Sequence, residues 1–346
     1  MSATPTRDGE IPLAHLRAAD GGWPWPTEVR TVIERPGFSA ALGNGGAVRA
    51  LAEGRIVPSA FRMEVSSFTS LPPAFRRMVR GLEFDMCEMA ISTYVCARAR
   101  GVPITALPVF PMRGFHHGAI FVRRDAGIAA PKDLEGRSVG LDRGYTVTTG
   151  VWARGILSAH YGVDLARIDW VMAGDEHVAD YRPPACVRRI ADGATIRELL
   201  LRGDVAAAIG IDPAHPDIVP LIPNHQEIAL GRFCTHDHYP INHLIVVRDT
   251  LLAERPEMAL DLVNAFHEAK LLYLADLRAG AIREPDAADR RNETLLQIVT
   301  DPLPYGVPQN HAMLKELIRH AADQRIIDRI VPVESLFAPT TRAWGS

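Results

Sequence analysis

At 346 residues, 47% of them hydrophobic, the chain is long enough for two domains and apolar enough to bury a core in each. Its 38 Lys and Arg against 41 Asp and Glu leave a formal charge of −3, and no basic block exceeds a pair, which argues against nucleic acid as a partner. No run of about 18 apolar residues offers a membrane span, and the polar opening at residues 1–10 lacks the apolar core of a secretory signal, so a cytoplasmic location is expected.

Residues 1–36, rich in Gly, Pro and charge, read as an irregular arm in which Trp23 and Trp25 are candidates to pack on a neighbouring surface or subunit. A strand is expected at 38–42, a short helix at 47–52 ending at Gly54, and a second strand at 61–65, where apolar and polar residues alternate. The rhythm continues with a helix at 73–80, a short strand at 84–86, a helix from Ser92 to about 100 and a strand at 104–109. Alternating strands and helices with short connections predict an α/β sheet with helices on both faces, whose ligands bind beyond the strand ends at loops and helix N-termini.

A fresh series begins at Ala119, with a strand at 119–122, a helix at 151–160, a strand at 170–172, and a helix, Gly turn and buried strand across 196–210. An apolar strand at 239–247 and a helix at 256–275 would return the chain to the first unit. Two crossings, near 118 and 240, predict two lobes about a hinged cleft: residues 1–118 with 240–346 form lobe one, and 119–239 form lobe two.

The residues with chemical potential cluster at the ends of apolar runs. His117, at the first crossing, is the first choice for a proton donor, because imidazole can give and recover a proton near neutrality. His243, at the second crossing, would share the same cleft. Glu88, read as preceding the helix that begins around Ser92, can orient a histidine or accept a hydroxyl proton. Arg113 suits a carboxylate through two parallel hydrogen bonds, and Arg62 is a second candidate for that task. His177, following the 170–172 strand, is a further candidate from lobe two.

Metal and cofactor signals are sparse. Cys87, Cys96, Cys186 and Cys234 form no Cys-x-x-Cys pair, so reduced, mostly buried thiols are expected rather than a metal or disulfide framework. His236 and His238, flanking Asp237, are the candidate ligands should a divalent metal bind, but no metal is the expectation. Gly-x-Gly-x-x-Gly, Walker and Gly-x-Ser-x-Gly motifs are missing, which disfavours dinucleotide binding, nucleotide hydrolysis and serine-ester chemistry.

The phrase Asp133-Leu134-Glu135-Gly136-Arg137-Ser138-Val139-Gly140, with a polar turn and helix start after it, resembles the second lobe of type II periplasmic-binding-protein folds. That resemblance implies a loop whose hydroxyls and amides hold ligand at a helix N-terminus, a place taken here by Tyr145, Thr146, Thr148 and Thr149. A second set is more specific: Glu83-Phe84-Asp85 through Glu88-Met89 with Ser92 and Tyr94, Pro108-Val109-Phe110-Pro111 through Arg113, Phe115 and His117, Trp152 with Arg154-Gly155, Pro240-Ile241 with His243, and Leu336-Phe337-Ala338-Pro339. These resemble 4,5-dihydroxyphthalate decarboxylases over most of residues 38–340, with departures at Gly114, His116 and Asn242.

The resemblance implies decarboxylation of a hydroxylated aromatic carboxylate without an organic cofactor, in a homo-oligomer, by protonating the ring carbon that loses carbon dioxide. Ser92, His116 and Asn242 join the expected substrate-binding set. The aromatic residues in the arm and in segment 331–344 also suit self-association. The alternatives are a solute-binding protein that clamps an aromatic acid unchanged, a metal-dependent decarboxylase on the same fold, and a relative of thiamine-pyrimidine synthases, whose cysteine-rich iron motif is not seen.

Overall fold

The structure is a computed structural model that describes residues 37–59, 61–191 and 193–345. The arm expected at residues 1–36, with Trp23 and Trp25, lies outside the described residues. From Gly37 the elements run β1 (Gly37–Gly43), α1 (Gly46–Ala52), β2 (Arg62–Phe68), α2 (Pro72–Gly81), β3 (Met86–Ala90), α3 (Ile91–Ala99) and β4 (Ile104–Arg113). Then come β5 (Ile120–Arg123), β6 (Ser138–Leu141), α4 (Thr148–Tyr161), β7 (Asp169–Met172), β8 (Val187–Arg189), α5 (Ile196–Arg202), β9 (Ala207–Ile209), β10 (Ile218–Pro220) and α6 (His225–His236). The chain closes with β11 (Ile241–Arg248), α7 (Asp249–Glu254), α8 (Met258–Arg278), α9 (Ala287–Leu295) and α10 (Val307–Asp323).

The strands form two sheets. The first has the order β2-β1-β3-β11-β4, with β1 parallel to β2 and β3, and β11 antiparallel to both its neighbours. The second has the order β10-β5-β9-β6-β7-β8, parallel through β9, β6, β7 and β8. The chain leaves the first sheet after β4 and re-enters it as β11, so the two sheets are joined by two crossings. This is the two-lobed α/β architecture of type II periplasmic binding proteins.

Central strands are buried on both faces and therefore read as continuous apolar runs rather than alternating ones. Every residue of β3 is buried, Glu88 included. The strand expected at 84–86 thus begins later and runs on to Ala90, placing Glu88 inside the sheet rather than in a loop before α3. Helix α2 opens on Pro72 and Pro73, where the missing N–H costs nothing, and buries Ala74, Phe75, Met78 and Val79 at helical spacing. Helix α8 likewise turns Leu262, Val263, Phe266, Ala269 and Tyr273 to the core.

The tail beyond α10 packs on its own chain. Phe337 is 1% exposed and meets Phe110 edge to face, and the Ala338 N–H donates to the Ala106 carbonyl of β4. The aromatic residues expected to be exposed in 331–344 are thus largely satisfied internally: Trp344 donates its indole N–H to Asn264. Among the described residues, no helix is long and apolar enough to cross a membrane.

Candidate active site

A cavity of about 420 Å³ opens where the C-terminal ends of the first sheet face the β6–α4 loop of the second, within the size range of small-molecule sites. Its floor carries a coupled acid and base. Glu88 on β3 and His243 on β11 stand on neighbouring strands, His243 opposite Ala90, and the Glu88 Oε1 to His243 Nδ1 distance is 2.8 Å. The second carboxylate oxygen accepts the Gly43 N–H at 3.0 Å. A carboxylate held at both oxygens fixes the ring it pairs with, and using Nδ1 leaves Nε2 of His243 for a ligand.

The pairing of β11 with β4 shifts register on both sides of His243. Such irregularities re-aim side chains at functional sites. Across the cleft, His177 reaches the cavity from the loop between β7 and β8; its Nδ1 is 2.7 Å from Thr93 Oγ1, so Nε2 has no protein partner among the described residues. Burial, reinforced by the charges of Arg76, Arg143 and Arg80, pushes His177 down to about 4, so it is a neutral imidazole at pH 7. The ring of Phe75 lies edge to face with both histidines, at 5.6 and 5.4 Å.

The N-terminus of α4 opens on the cavity wall. Thr148 and Thr149 line the cavity at the helix start, where the first N–H groups lack helical partners and the dipole favours negative charge. Ser92 holds this turn from below: its hydroxyl is 2.6 Å from the Thr146 carbonyl and 2.7 Å from Thr148 Oγ1. Asn242 also lines the cavity, with its Oδ1 taken by His116 Nε2 at 2.9 Å.

Several expected ligand contacts are absent. His117, the expected proton donor, is not on the cavity wall. The turn after β4 directs His116 to Asn242 and sends His117 the other way, to His160 Nδ1 at 3.2 Å, and burial with neighbouring positive charge pushes His117 down to about 3. Arg62 lies on the edge strand β2, exposed and paired with Glu64 at 2.6 Å. Arg113 borders the cavity, but its Nη1 donates to the Tyr239 carbonyl and its Nη2 to the Pro304 carbonyl and Asn310, while Nε is buried without a partner, which leaves no fork for a carboxylate. Tyr145 and Thr146 are wired inward: their N–H groups donate to the buried Glu176 carboxylate. His236 is exposed at the end of α6 while His238 is buried, so the pair does not form one chelating site.

Two arginines that the sequence did not single out also bring cations to the cavity. Arg143, in the β6–α4 loop, lines the cavity with no hydrogen bond or ion pair to its guanidinium among the described residues. Arg291 on α9 donates Nε to the Tyr239 hydroxyl at 2.9 Å and Nη2 to the Arg113 carbonyl at 3.0 Å, which leaves Nη1 for a ligand. A signal existed for Arg143, a cation in the polar turn just before a helix start. Arg291 had none, because only the fold brings α9 back to the cleft.

The fold and the cleft together define a two-lobed binding-protein architecture with cations and imidazoles converging on one cavity. Among solved structures it is similar to the alkanesulfonate-binding protein SsuA from Xanthomonas axonopodis pv. citri bound to MOPS, with 14% identity over 88% of this chain and 98% of that one and a TM-score of 0.52. It is also similar to the periplasmic aliphatic sulphonate binding protein SsuA from Escherichia coli, with 14% identity over 87% and 91% and a TM-score of 0.51. At such identity the likeness concerns the fold alone.

In sequence, the chain is 30% identical over 332 residues to a 4,5-dihydroxyphthalate decarboxylase of Comamonas testosteroni, covering 88% of this chain and 97% of the relative. A second relative, the 4,5-dihydroxyphthalate decarboxylase of Pseudomonas putida, is 29% identical over 191 residues, 52% of this chain and 72% of its own. The chain belongs to the 4,5-dihydroxyphthalate decarboxylase family. No family model matches it.

Proposed function

We propose that the protein decarboxylates a hydroxylated aromatic dicarboxylate such as 4,5-dihydroxyphthalate, with His243, Glu88 and His177 as the acid–base groups. The observation that carries the reading is the Glu88–His243 pair in a cavity that also presents two arginines with free donors. Loss of carbon dioxide leaves an electron pair on the ring carbon, and a hydroxyl para to the departing carboxylate lets the ring store that charge. With the substrate bound, its carboxylates offset the arginine charges that help hold His177 neutral in the empty cleft, so His177 Nε2 takes the phenolic proton, and His243 Nε2 delivers a proton to the ring carbon bearing the carboxylate. The C–C bond then breaks from the dienone, its electrons restoring the aromatic ring as carbon dioxide leaves. His177 returns its proton to the phenolate, and solvent resupplies His243, so each turnover consumes one proton.

Arg143, Arg291 and the α4 N-terminus hold the carboxylates, Thr148, Thr149 and Asn242 bind polar groups of the substrate, and Glu88 fixes the tautomer and orientation of His243. The hydroxylated ring is itself the electron store, so the scheme calls for no organic cofactor or metal in the cleft. Within the same reading the enzyme is cytoplasmic and homo-oligomeric. The four free cysteines suit a reducing compartment, and the exposed Leu260, Leu271 and Leu272 of α8 suit self-association.

The test is incubation with 4,5-dihydroxyphthalate, following carbon dioxide and 3,4-dihydroxybenzoate. We expect turnover by the native enzyme and a fall in kcat of at least about 100-fold in His243→Asn, the scale of a lost general acid. A folded enzyme that releases no carbon dioxide from this or other dihydroxyphthalates would refute the reading.

A further inference from the structure

Behind the cleft, four histidines and a glutamate gather in a place the proposed reaction leaves unused. His160 stands in the last turn of α4, His238 just beyond α6, and Glu316 and His320 one turn apart on α10, while His117 approaches from the turn after β4. One ring nitrogen each from His160 and His238 and one carboxylate oxygen from Glu316 lie within 4.8 Å of one another, the one such group of three among the described residues.

The protein's own hydrogen bonds do not account for this gathering. His238 is 2% and His320 3% exposed, yet neither ring nitrogen of His238 has a partner, nor has Nε2 of His320. Glu316 Oε1 is 3.5 Å from His238 Nε2 and 3.3 Å from His320 Nε2, inside ion-pair range but without the alignment of a hydrogen bond. Unpaired polar atoms in the interior are unfavourable and call for an explanation. The 3.5 Å between Glu316 Oε1 and His238 Nε2 supplies one: two donors each ~2.1 Å from a single zinc ion at the tetrahedral angle stand ~3.4 Å apart. Room has also been kept, since a Cβ on Gly155 of α4 would lie 2.4 Å from the His320 ring.

We propose that His160, His238 and Glu316 bind a divalent transition-metal ion of the zinc class. Two imidazoles and one carboxylate suit zinc or a similar first-row ion better than calcium or magnesium, which prefer all-oxygen sites. His117, 3.2 Å from His160 Nδ1, leaves Nε2 of His160 for the ion and orients the ring, and His320 sits against Glu316 in the corresponding way. None of the three ligands lines the catalytic cavity. The ion's work is to tie α4, on the second-sheet side, to α10 and to the crossing at His238, fixing the joint on which the cleft is built.

Untagged protein stripped with a chelator is titrated with Zn²⁺ and, for its visible absorption, with Co²⁺, with metal content measured by mass spectrometry and stability by thermal melting. One equivalent per chain is expected, with a rise in Tm and a cobalt spectrum typical of nitrogen and oxygen ligands. His238→Ala and Glu316→Gln should each weaken binding by more than about 100-fold, while melting like the stripped native protein. His243→Asn, in the cleft, should still take up one equivalent. The proposal is overturned if the native protein takes up no ion, if uptake survives in the His238→Ala and Glu316→Gln double variant, or if it is lost in His243→Asn. If a ligand variant does not fold, the native titration and His243→Asn still decide.

Discussion

His177 shows how one buried side chain ties the cleft to acid sensitivity. Its folded value lies near 4, lowered by burial and by three arginines, against ~6.5 for a free histidine. Between those values the unfolded chain binds a proton that the folded chain refuses. Stability is therefore whole at pH 7 and drains as pH falls through that window, by on the order of 3 kcal/mol for this group. Urea unfolding of the native enzyme and of His177→Gln at pH 7 and pH 4.5 checks this: the variant should lose less stability on acidification. Equal losses would show that His177 is not held neutral. Other residues of the site differ in how visible they were. Glu88 and His243 stand out as polar residues bordering apolar runs, and both reach the cavity because they lie on the neighbouring strands β3 and β11. His117 stood out equally and does not reach the cavity, because adjacent residues at a turn face opposite ways and no spacing rule says which faces the cleft.

At the level of elements, the end of β1 sets the geometry of the acid–base pair, through the Gly43 N–H that Glu88 accepts. A Cβ on Gly43 would lie 3.1 Å from Glu88 Oε2 and equally close to Leu71 Cδ1, tight enough that the carboxylate must shift by a few tenths of an ångström. Since a ~1 Å misplacement can cost ~100-fold in rate, we expect Gly43→Ala to lower kcat about 10-fold with KM little changed. Gly231→Ala, in open space on α6, should leave the rate unaltered and add up to about 1 kcal/mol of helix stability. A Gly43→Ala enzyme with native kcat would mean that the Gly43–Glu88 contact does not position the dyad. The strand–helix alternation of these elements was readable from apolar periodicity and Gly and Pro punctuation. Element edges were less so: β3 begins at Met86 and α4 at Thr148, because a buried central strand has no alternation to mark its start and a helix capped by Val147 carries no side-chain signal.

For the whole molecule, the consequential arrangement is that the two cavity-lining arginines with open donors, Arg143 and Arg291, come from opposite walls of the cleft. Arg143 belongs to the β6–α4 loop of the second sheet, and Arg291 to α9, which packs with α8 against the first. This pairing was out of reach of the sequence, since 148 positions separate the two arginines and neither sits in a motif. An aromatic diacid that engages both would bridge the lobes, whereas a monoacid engages one. Phthalate, which lacks the hydroxyls needed for turnover, should therefore raise Tm more than benzoate at equal concentration, because only ligand affinity for the folded state adds stability. In Arg143→Ala or Arg291→Ala the two acids should become nearly equivalent, with phthalate binding weakened about 10- to 100-fold for one lost charge-assisted pair. If either variant still separates phthalate from benzoate as the native enzyme does, the substrate's second carboxylate is held elsewhere and the two lobes are not bridged through these arginines.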